Sequence, residues 1–297
     1  MAVLRVGGLW LSLPIAISMV LGLSGCGEVV APVQQGRKDD VVRVRKSAPV
    51  RLAVDPALLA ARVIAQQPGW PGTRPIVAPP QRSIRCGQVK CVALTFDDGP
   101  FDYTGKVLDM LAENHAKATF FVVGQMVNPQ TLPYLRRMVS EGHELGNHSW
   151  DHPSLTSLSH DALRGQLERT QQLVKDTTGA TMRLLRPPYG ATNAAVAQEA
   201  AHEGLAQILW DLDTLDWRDR NSALVVKRAS VARPGSIVLM HDIHKTTVEA
   251  VPGLLRELTA KGYTFVTVSE LYGARGLTPG RSYTGEAGEP ELEKKRR

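Results

Sequence analysis

Short apolar runs alternate with amphipathic segments along most of the chain, and this alternation limits the folds that the chain can adopt. Seven of the runs fit β-strands, at residues 92–96, 118–123, 143–147, 183–186, 208–212, 236–240 and 263–268. The segments between them repeat apolar residues with the period of a helix, and several end at a glycine. Strands that alternate with such helices favour parallel β/α units. We therefore predict an α/β fold, a distorted (β/α) barrel of about seven parallel strands.

The chain outside this alternating region is predicted to have other roles. Arg5 and the apolar stretch 9–23 resemble a secretory signal, because the stretch is too short for a membrane-spanning helix. The stretch leads into Leu-Ser-Gly-Cys, which resembles the lipobox of bacterial lipoproteins, so we expect Cys26 to be lipidated. An ordinary signal peptide with a chance cysteine is the alternative.

These features predict an exported protein that is anchored to the cell membrane and faces the wall. The expected organisation is a lipoprotein signal peptide at 1–25, a membrane tether at 26–85, a catalytic domain at 86–274 and a disordered, charged tail at 275–297.

The chain is basic, with a net charge of +6, and much of the excess lies in the runs 37–51 and 294–297, outside the predicted domain. Such runs are typical of solvated tails. An exported protein does not routinely meet nucleic acid, so we expect no nucleic-acid partner. Anionic wall polymers or lipid head groups are the expected counter-charges. We expect a monomer.

Cys86 and Cys91 stand just before the first predicted strand. In an oxidising compartment their spacing favours a disulfide. A metal site is the alternative, but it would need further cysteines or clustered histidines nearby.

Polar clusters follow five of the predicted strands, at the ends where parallel β/α folds collect functional residues. They read Thr-Phe-Asp-Asp-Gly-Pro (95–100), His-Ser-Trp-Asp-His-Pro (148–153), Arg-Pro-Pro-Tyr-Gly (186–190), Asp-Thr-Leu-Asp-Trp (213–217) and Leu-Met-His-Asp (239–242). The spacing of His148 and His152 places both imidazoles on one side of a helical turn. Asp97 and Asp98 point in opposite directions, so one can bind metal while the other faces a water molecule. Histidines and a carboxylate with an open position are the pattern of hydrolytic zinc.

The five clusters resemble, in the same order, the motifs of the NodB-homology polysaccharide deacetylase family, a group of carbohydrate esterases that includes chitin and peptidoglycan deacetylases. The resemblance spans residues 88–272. It implies a distorted (β/α) barrel with a divalent metal, zinc in the first place and cobalt or nickel as alternatives. Asp98, His148 and His152 would be the metal ligands.

The resemblance also implies roles for other motif residues. Asp97 would be the general base that deprotonates the attacking water, and the charge of Arg186 would keep this carboxylate ionised and aimed. Tyr189 would give its backbone N–H to the oxyanion of the tetrahedral intermediate, on a chain stiffened by the preceding prolines. His241 would be the general acid that protonates the leaving amine.

The remaining assignments concern the surroundings of His241. Asp216 would lie beside it and favour the imidazolium. Asp213 is the alternative partner, but the Asp-Trp pair of the motif favours Asp216. Trp217 and Leu239 would wall the pocket for the acetyl methyl group.

The expected function is metal-dependent hydrolysis of N-acetyl groups from a polysaccharide that contains N-acetylglucosamine, with release of acetate at the cell surface. The anchor favours peptidoglycan over a chitin-like polymer, and the sequence leaves open whether N-acetylglucosamine or N-acetylmuramic acid is the target. Removal of O-acetyl groups from xylan is the enzymatic alternative. A catalytically silent, sugar-binding lipoprotein is the other alternative. Such a protein is expected to lack a metal ligand, the base or the acid, whereas this sequence keeps all of them.

Overall fold

The computed structural model of the chain describes residues 76–80, 82–273 and 276–285. The predicted signal peptide, Cys26 and most of the predicted tether lie outside these residues. Within the described ranges, no helix is long and apolar enough to cross a membrane.

A sheet of parallel strands, curled into a half-barrel, forms the centre of the fold. In chain order the strands are β1 (Lys90–Asp97), β2 (Thr119–Val122), β3 (Glu144–Asn147), β4 (Leu184–Leu185), β5 (Ala206–Ile208), β6 (Leu212–Asp213), β7 (Ile237–His241), β8 (Tyr263–Val266) and β9 (Ser282–Tyr283). Their spatial order is β6-β7-β1-β2-β3-β4-β5-β9, and β8 pairs with the first half of β1. The predicted fold class, an α/β barrel of parallel strands, is confirmed.

Helices cover the outside of the sheet. They are α1 (Thr104–Glu113), α2 (Leu132–Ser140), α3 (His160–Thr178), α4 (Ala194–His202), α5 (Asp216–Asp219), α6 (Ser222–Ala229), α7 (Lys245–Ala260) and α8 (Val268–Tyr272). The longest of these, α3, shows how the sequence sets an element. Ser159 caps its first turn by accepting the N–H of Ala162, and Gly179 ends it with a φ of 80°. Leu163 and Leu167 are buried on its inner face.

Strand β1 lies at the centre of the sheet and sets the position of the polar motifs that follow the strands. Every residue of β1 after Lys90 is buried, because helices cover one face of this strand and the barrel interior covers the other. β1 pairs in parallel with β2 on one side and with β7 on the other. In the β7 register, Asp97 lies opposite His241. The last residues of these neighbouring strands therefore meet at one edge of the half-barrel.

The described residues contain nine strands, so the predicted number of about seven was too low. The predicted strand at 208–212 divides into β5 and β6. The chain bends between them because Leu209 N bonds to the carbonyl oxygen of Tyr283, whereas Asp211 N bonds to that of Ile237.

The prediction of a disordered tail from residue 275 was wrong for 276–285. β9 pairs with β5, and the N–H of Gly280 donates to the carbonyl oxygen of Leu205 at 2.7 Å. The Tyr283 ring packs 5.0 Å from the Tyr272 ring. The glycine and charged residues of this segment led to the prediction of disorder. In the structure, backbone pairing and an aromatic contact hold residues 276–285 against the domain. Residues 286–297 lie outside the described residues.

The predicted boundary between tether and domain at residue 85 was also misplaced. The N–H of Ile76 donates to the carbonyl oxygen of Thr178 at 3.0 Å, and Arg82 forms a 2.6 Å salt bridge with Glu270. Proline-rich composition excludes regular secondary structure here, but it does not prevent the chain from docking on the domain. The contacts with the domain therefore begin by residue 76.

Cys86 and Cys91 form a disulfide with an Sγ–Sγ distance of 2.09 Å, which confirms that prediction. The bond closes the turn that leads into β1.

Loss of this disulfide should lower the free energy of unfolding by only about 2 kcal/mol, because so short a closed loop restricts the unfolded chain little. We expect a reductant to lower the melting temperature of the wild type to that of the Cys86→Ala/Cys91→Ala variant and to leave the variant unchanged. Equal melting temperatures of wild type and variant without reductant would show that the bond contributes nothing.

Candidate active site

The candidate site lies at the carboxyl ends of β1, β3 and β7 and in the loops that follow β4 and β6. Asp97 and His241 are the last residues of β1 and β7, and His148 directly follows β3. The five polar motifs are thus brought to the same end of the half-barrel, as the sequence predicted.

Two imidazoles and one carboxylate converge there. His148 Nε2 and His152 Nε2 each lie 3.4 Å from Asp98 Oδ1. This oxygen is buried and has no hydrogen-bond partner in the part of the chain that the structure describes. Burial alone would raise the pKa of Asp98, but His148 and the other nearby histidines lower it to about 2. An anionic oxygen without a donor, facing two imidazole nitrogens, is the arrangement that a divalent cation completes.

The backbone around these ligands is held in unusual conformations. Asp98, Ser149 and His152 have φ values of 73°, 67° and 62°, in the left-handed region that non-glycine residues rarely occupy. Asn147 and Ser149 fix the loop, because the Asn147 side chain accepts the N–H of Ser149 and the Ser149 hydroxyl accepts that of His152. The expectation that His148 and His152 share a helical turn was therefore wrong, since a strained loop brings them together.

The tautomer of His148 is fixed by its surroundings. Its Nδ1 lies 2.6 Å from the carbonyl oxygen of Arg186. A carbonyl can only accept, so Nδ1 carries a proton and Nε2 is the ring nitrogen that is left to bind a metal. This orientation is the one that a metal ligand requires.

A second cluster of potential ligands, Glu199, His202 and Glu203, lies on and just after α4. Glu199 is already satisfied there by Arg164 and His160, at 3.1 and 3.0 Å. The cluster at the strand ends, with its unpartnered oxygen, is therefore the better candidate for a metal.

Arg186 is fully buried, and all three nitrogens of its guanidinium donate hydrogen bonds. It donates to Asp97 Oδ1 at 2.8 Å and to the Thr95 hydroxyl at 2.7 Å. Its other donors reach the carbonyl oxygens of Ile208 and Leu209. Burial lowers the pKa of Arg186, and the charge of Asp97 opposes this effect. Arg186 is thus placed to orient Asp97, and the partner Thr95 was not identified from the sequence, although it shares the strand face of Asp97.

His241 forms a buried pair with Asp216. His241 Nδ1 lies 2.8 Å from Asp216 Oδ1, and the backbone N–H of His241 donates to Oδ2 at 2.7 Å. Thr247 also donates to Oδ2, at 2.6 Å, and no motif in the sequence pointed to this residue. Burial would lower the pKa of His241, but the hydrogen bond and charge of Asp216 raise it to about 9. The alternative partner, Asp213, instead accepts the N–H of Leu215.

The remaining predicted residues lie around this centre. Tyr189 is 70% exposed, with a φ of 61°, and its ring lies 4.7 Å from that of His152. Trp217 is 47% exposed and follows Asp216 directly. Leu239 is buried on β7 and, two residues before His241, lies on the same strand face.

Comparison with known proteins agrees with this fold. A sequence profile of the polysaccharide deacetylase family matches residues 85–208. The solved structure of a deacetylase called T48, with substrate, has a TM-score of 0.65 and 42% identity, and the match covers 67% of this chain and 99% of that one. The chain belongs to the polysaccharide deacetylase family.

Other relatives differ in the substrate that their names give. The peptidoglycan-N-acetylglucosamine deacetylase PgdA of Listeria monocytogenes is 47% identical over 65% of this chain and 41% of its own length. The peptidoglycan-N-acetylmuramic acid deacetylase PdaC of Bacillus subtilis is 42% identical over 61% of this chain and 38% of its own length. The chain thus spans about two fifths of these curated relatives. A family 4 acetyl xylan esterase from Clostridium thermocellum, in complex with cobalt, has a TM-score of 0.62 and 35% identity, covering 66% of this chain and 99% of that one.

The His241–Asp216 pair predicts a measurable titration. In the metal-free protein His241 should titrate with a pKa of about 9. Asp216→Asn should lower this pKa, because the imidazolium loses its charged partner while the burial that disfavours it remains. Imidazole NMR shifts recorded against pH would measure the change. Asp213→Asn is the matched control and should leave the titration of His241 in place; an equal shift in both variants would contradict the pairing.

Proposed function

We propose that this domain hydrolyses N-acetyl groups of N-acetylglucosamine in a peptidoglycan-type glycan and releases acetate. The observation that supports this most is the position of the ligand cluster beside Asp97 and His241, which lie side by side at the ends of two paired strands. A hydrolase needs one group that takes a proton from water and another that gives a proton to the leaving group. Both kinds of group are here.

The ligand cluster fits a divalent metal held by Asp98, His148 and His152. When bound, such a cation polarises the acetyl carbonyl and lowers the pKa of water. The donor set suits zinc, cobalt or nickel, and we propose zinc because the histidine–carboxylate set is that of hydrolytic zinc sites.

Asp97 is the proposed base. Arg186 binds its Oδ1, whereas Oδ2 lies 3.7 Å from His148 Nε2 and so faces the ligand cluster. Oδ2 is therefore the atom that takes the proton of the attacking water. The backbone N–H of Tyr189 is the proposed donor to the oxyanion that then forms.

His241 is the proposed acid. Its Nδ1 is engaged with Asp216, so Nε2 delivers the proton to the amine as the C–N bond breaks. The hydrogen bond and charge of Asp216 raise the pKa of His241 and so favour the imidazolium that gives this proton. Trp217 and Leu239 are proposed to bound the space for the acetyl methyl group, which favours apolar surface.

The substrate is inferred from relatives. The N-acetylglucosamine enzyme of Listeria shares more identity with the chain than the N-acetylmuramic acid enzyme of Bacillus, which favours N-acetylglucosamine. Deacetylation of O-acetyl xylan is a second candidate, because the match to the solved esterase from Clostridium covers 99% of that chain.

We also propose that Cys26 is lipidated and holds the domain at the membrane, on the basis of the lipobox-like sequence at 23–26. Cys26→Ser should then leave an unprocessed precursor or a soluble product. In detergent phase separation the wild type should enter the detergent phase and the variant should not. Equal partitioning of the two proteins would count against the anchor.

Acetate release from purified peptidoglycan, chitin oligomers and acetylated xylan, compared side by side, tests the activity and the substrate. We expect the highest rate on peptidoglycan. Asp97→Asn and His241→Ala should each reduce turnover by about 10²–10⁴-fold, because each removes one proton-transfer group. Both variants should keep the metal content of the wild type.

His148→Ala and His152→Ala are the matched variants for the metal, since each should lose most of the bound metal together with the activity. Elemental analysis that finds full metal in both would refute the ligand assignment. If His241→Ala kept more than about a tenth of wild-type turnover on the amide substrates, the acid would be another group, with His244 as the next candidate. Turnover on xylan alone would favour the second candidate function.

A further inference from the structure

Asp242 is a buried carboxyl group that neither the acid–base pair nor the ligand cluster uses. It directly follows His241 and is fully buried. Its Oδ1 atom has no hydrogen-bond partner within the described ranges. Burial raises the pKa of Asp242 to about 7, although the hydrogen bond from Thr104 lowers it. A buried carboxyl oxygen without a partner is costly, so its presence calls for a structural explanation.

Asp242 is linked to the turn that follows β1. The Thr104 hydroxyl donates to Asp242 Oδ2 and itself accepts the N–H of Phe101 at 2.8 Å. Thr104 is buried at the first residue of α1. Through the Thr104 hydroxyl, the Asp242 carboxyl group therefore fixes the backbone at Phe101, just after the turn 98–100.

Asp242 also lies directly against Gly99 in the same turn. A methyl group at Gly99 would lie 2.6 Å from Oδ1 and 2.9 Å from Oδ2 of Asp242, and its next neighbour would be Cγ of the same side chain at 3.1 Å. The backbone of Gly99 is not in the left-handed region, so the close approach of Asp242 is what requires glycine here.

The strand register explains why these groups meet. Asp97 pairs with His241, so Asp98 and Asp242 are the next residues at two neighbouring strand ends. Asp98 leaves its strand with a φ of 73° and points to the histidines, while Asp242 lies buried beneath the turn.

We propose that Asp242 is a positioning residue: by packing against Gly99 and bonding to Thr104, its carboxyl group holds the turn in the conformation that aims Asp98 at His148 and His152. This inference rests on the metal site of the proposed function. It assigns to the last residue of the Leu-Met-His-Asp motif a role that is separate from the acid beside it.

The first test measures Zn²⁺ affinity of the purified protein by competition with a chelator, together with the melting temperature. Asp242→Ala should weaken Zn²⁺ binding by about 10–100-fold, as is typical when support of a metal ligand is lost. Asp242→Asn should bind Zn²⁺ nearly as well as the wild type, because the amide keeps the shape of the carboxyl group and can accept from Thr104. A merely structural role would lower the melting temperature of Asp242→Ala and leave its Zn²⁺ affinity unchanged.

The second test is a double-mutant cycle between Gly99 and Asp242. Gly99→Ala should weaken Zn²⁺ binding because the new methyl group displaces the carboxyl group or the turn. Adding Asp242→Ala removes that clash. The double variant should therefore bind Zn²⁺ at least as tightly as whichever single variant binds it more weakly. Gly105→Ala is the matched control: its methyl group would meet the Tyr134 ring at 2.7 Å, so it should lower the melting temperature without changing Zn²⁺ affinity.

The proposal would be overturned if Asp242→Ala bound Zn²⁺ as tightly as the wild type, or if Asp242→Asn lost as much Zn²⁺ affinity as Asp242→Ala. It would also be overturned if the effects of Gly99→Ala and Asp242→Ala on Zn²⁺ affinity were independent. Failure of the metal site itself would look different. In that case the wild type would bind no Zn²⁺, or His148→Ala would bind it equally well.

Discussion

The buried ion pair between Arg186 and Asp97 is the interaction on which the site depends. A guanidinium with no exposed surface is costly unless its nitrogens are hydrogen-bonded and a negative charge lies beside it. The Arg186 side chain meets these needs by binding Asp97 at the end of β1 and the carbonyl oxygens of Ile208, the last residue of β5, and of Leu209. Its own carbonyl oxygen fixes the ring of His148. One residue thus orients both the proposed base and a proposed metal ligand, and it also ties together strands on opposite parts of the curled sheet.

Environment separates the roles of four carboxyl groups that lie close together. Asp97 has a guanidinium as its partner, and Asp216 has an imidazole, two backbone N–H groups and a hydroxyl. Asp98 faces two imidazoles and keeps one oxygen without a donor, whereas Asp242 is buried against Gly99. The pKa of Asp98 is lowered to about 2 and that of Asp242 is raised to about 7. The same functional group is therefore a candidate metal ligand at Asp98 and a buried support of the turn at Asp242, because the neighbours of the two carboxyl groups differ.

The sequence predicted those parts of the site that depend on the order of elements along the chain. Parallel strands bring their carboxyl ends to one edge, so the five motifs had to meet, and the motif pattern distinguished Asp216 from Asp213. Contacts that depend on tertiary packing were not predictable. Thr247 reaches Asp216 only because α7 starts beside β7, and β9 carries too few apolar residues to be recognised without its partner β5. The spacing of His148 and His152 is compatible with a helical turn as well as with a loop. Only the backbone angles show that these residues lie in a loop.

The position of exposed aromatic surface connects this chemistry to a sugar substrate. The large hydrophobic side chains that are exposed within the described ranges are Val77, Val89, Tyr189, Trp217 and Val231, and the only aromatic ones, Tyr189 and Trp217, both lie at the site. Tyr189 packs on the proposed ligand His152, and Trp217 adjoins Asp216, the partner of the proposed acid. Exposed aromatic rings offer apolar surface that the apolar face of a sugar ring can cover. The rigid strand ends thus fix the reacting groups relative to one another, since paired strands lie about 5 Å apart. The exposed rings lie beyond the strand ends, Tyr189 after β4 and Trp217 in the short helix α5.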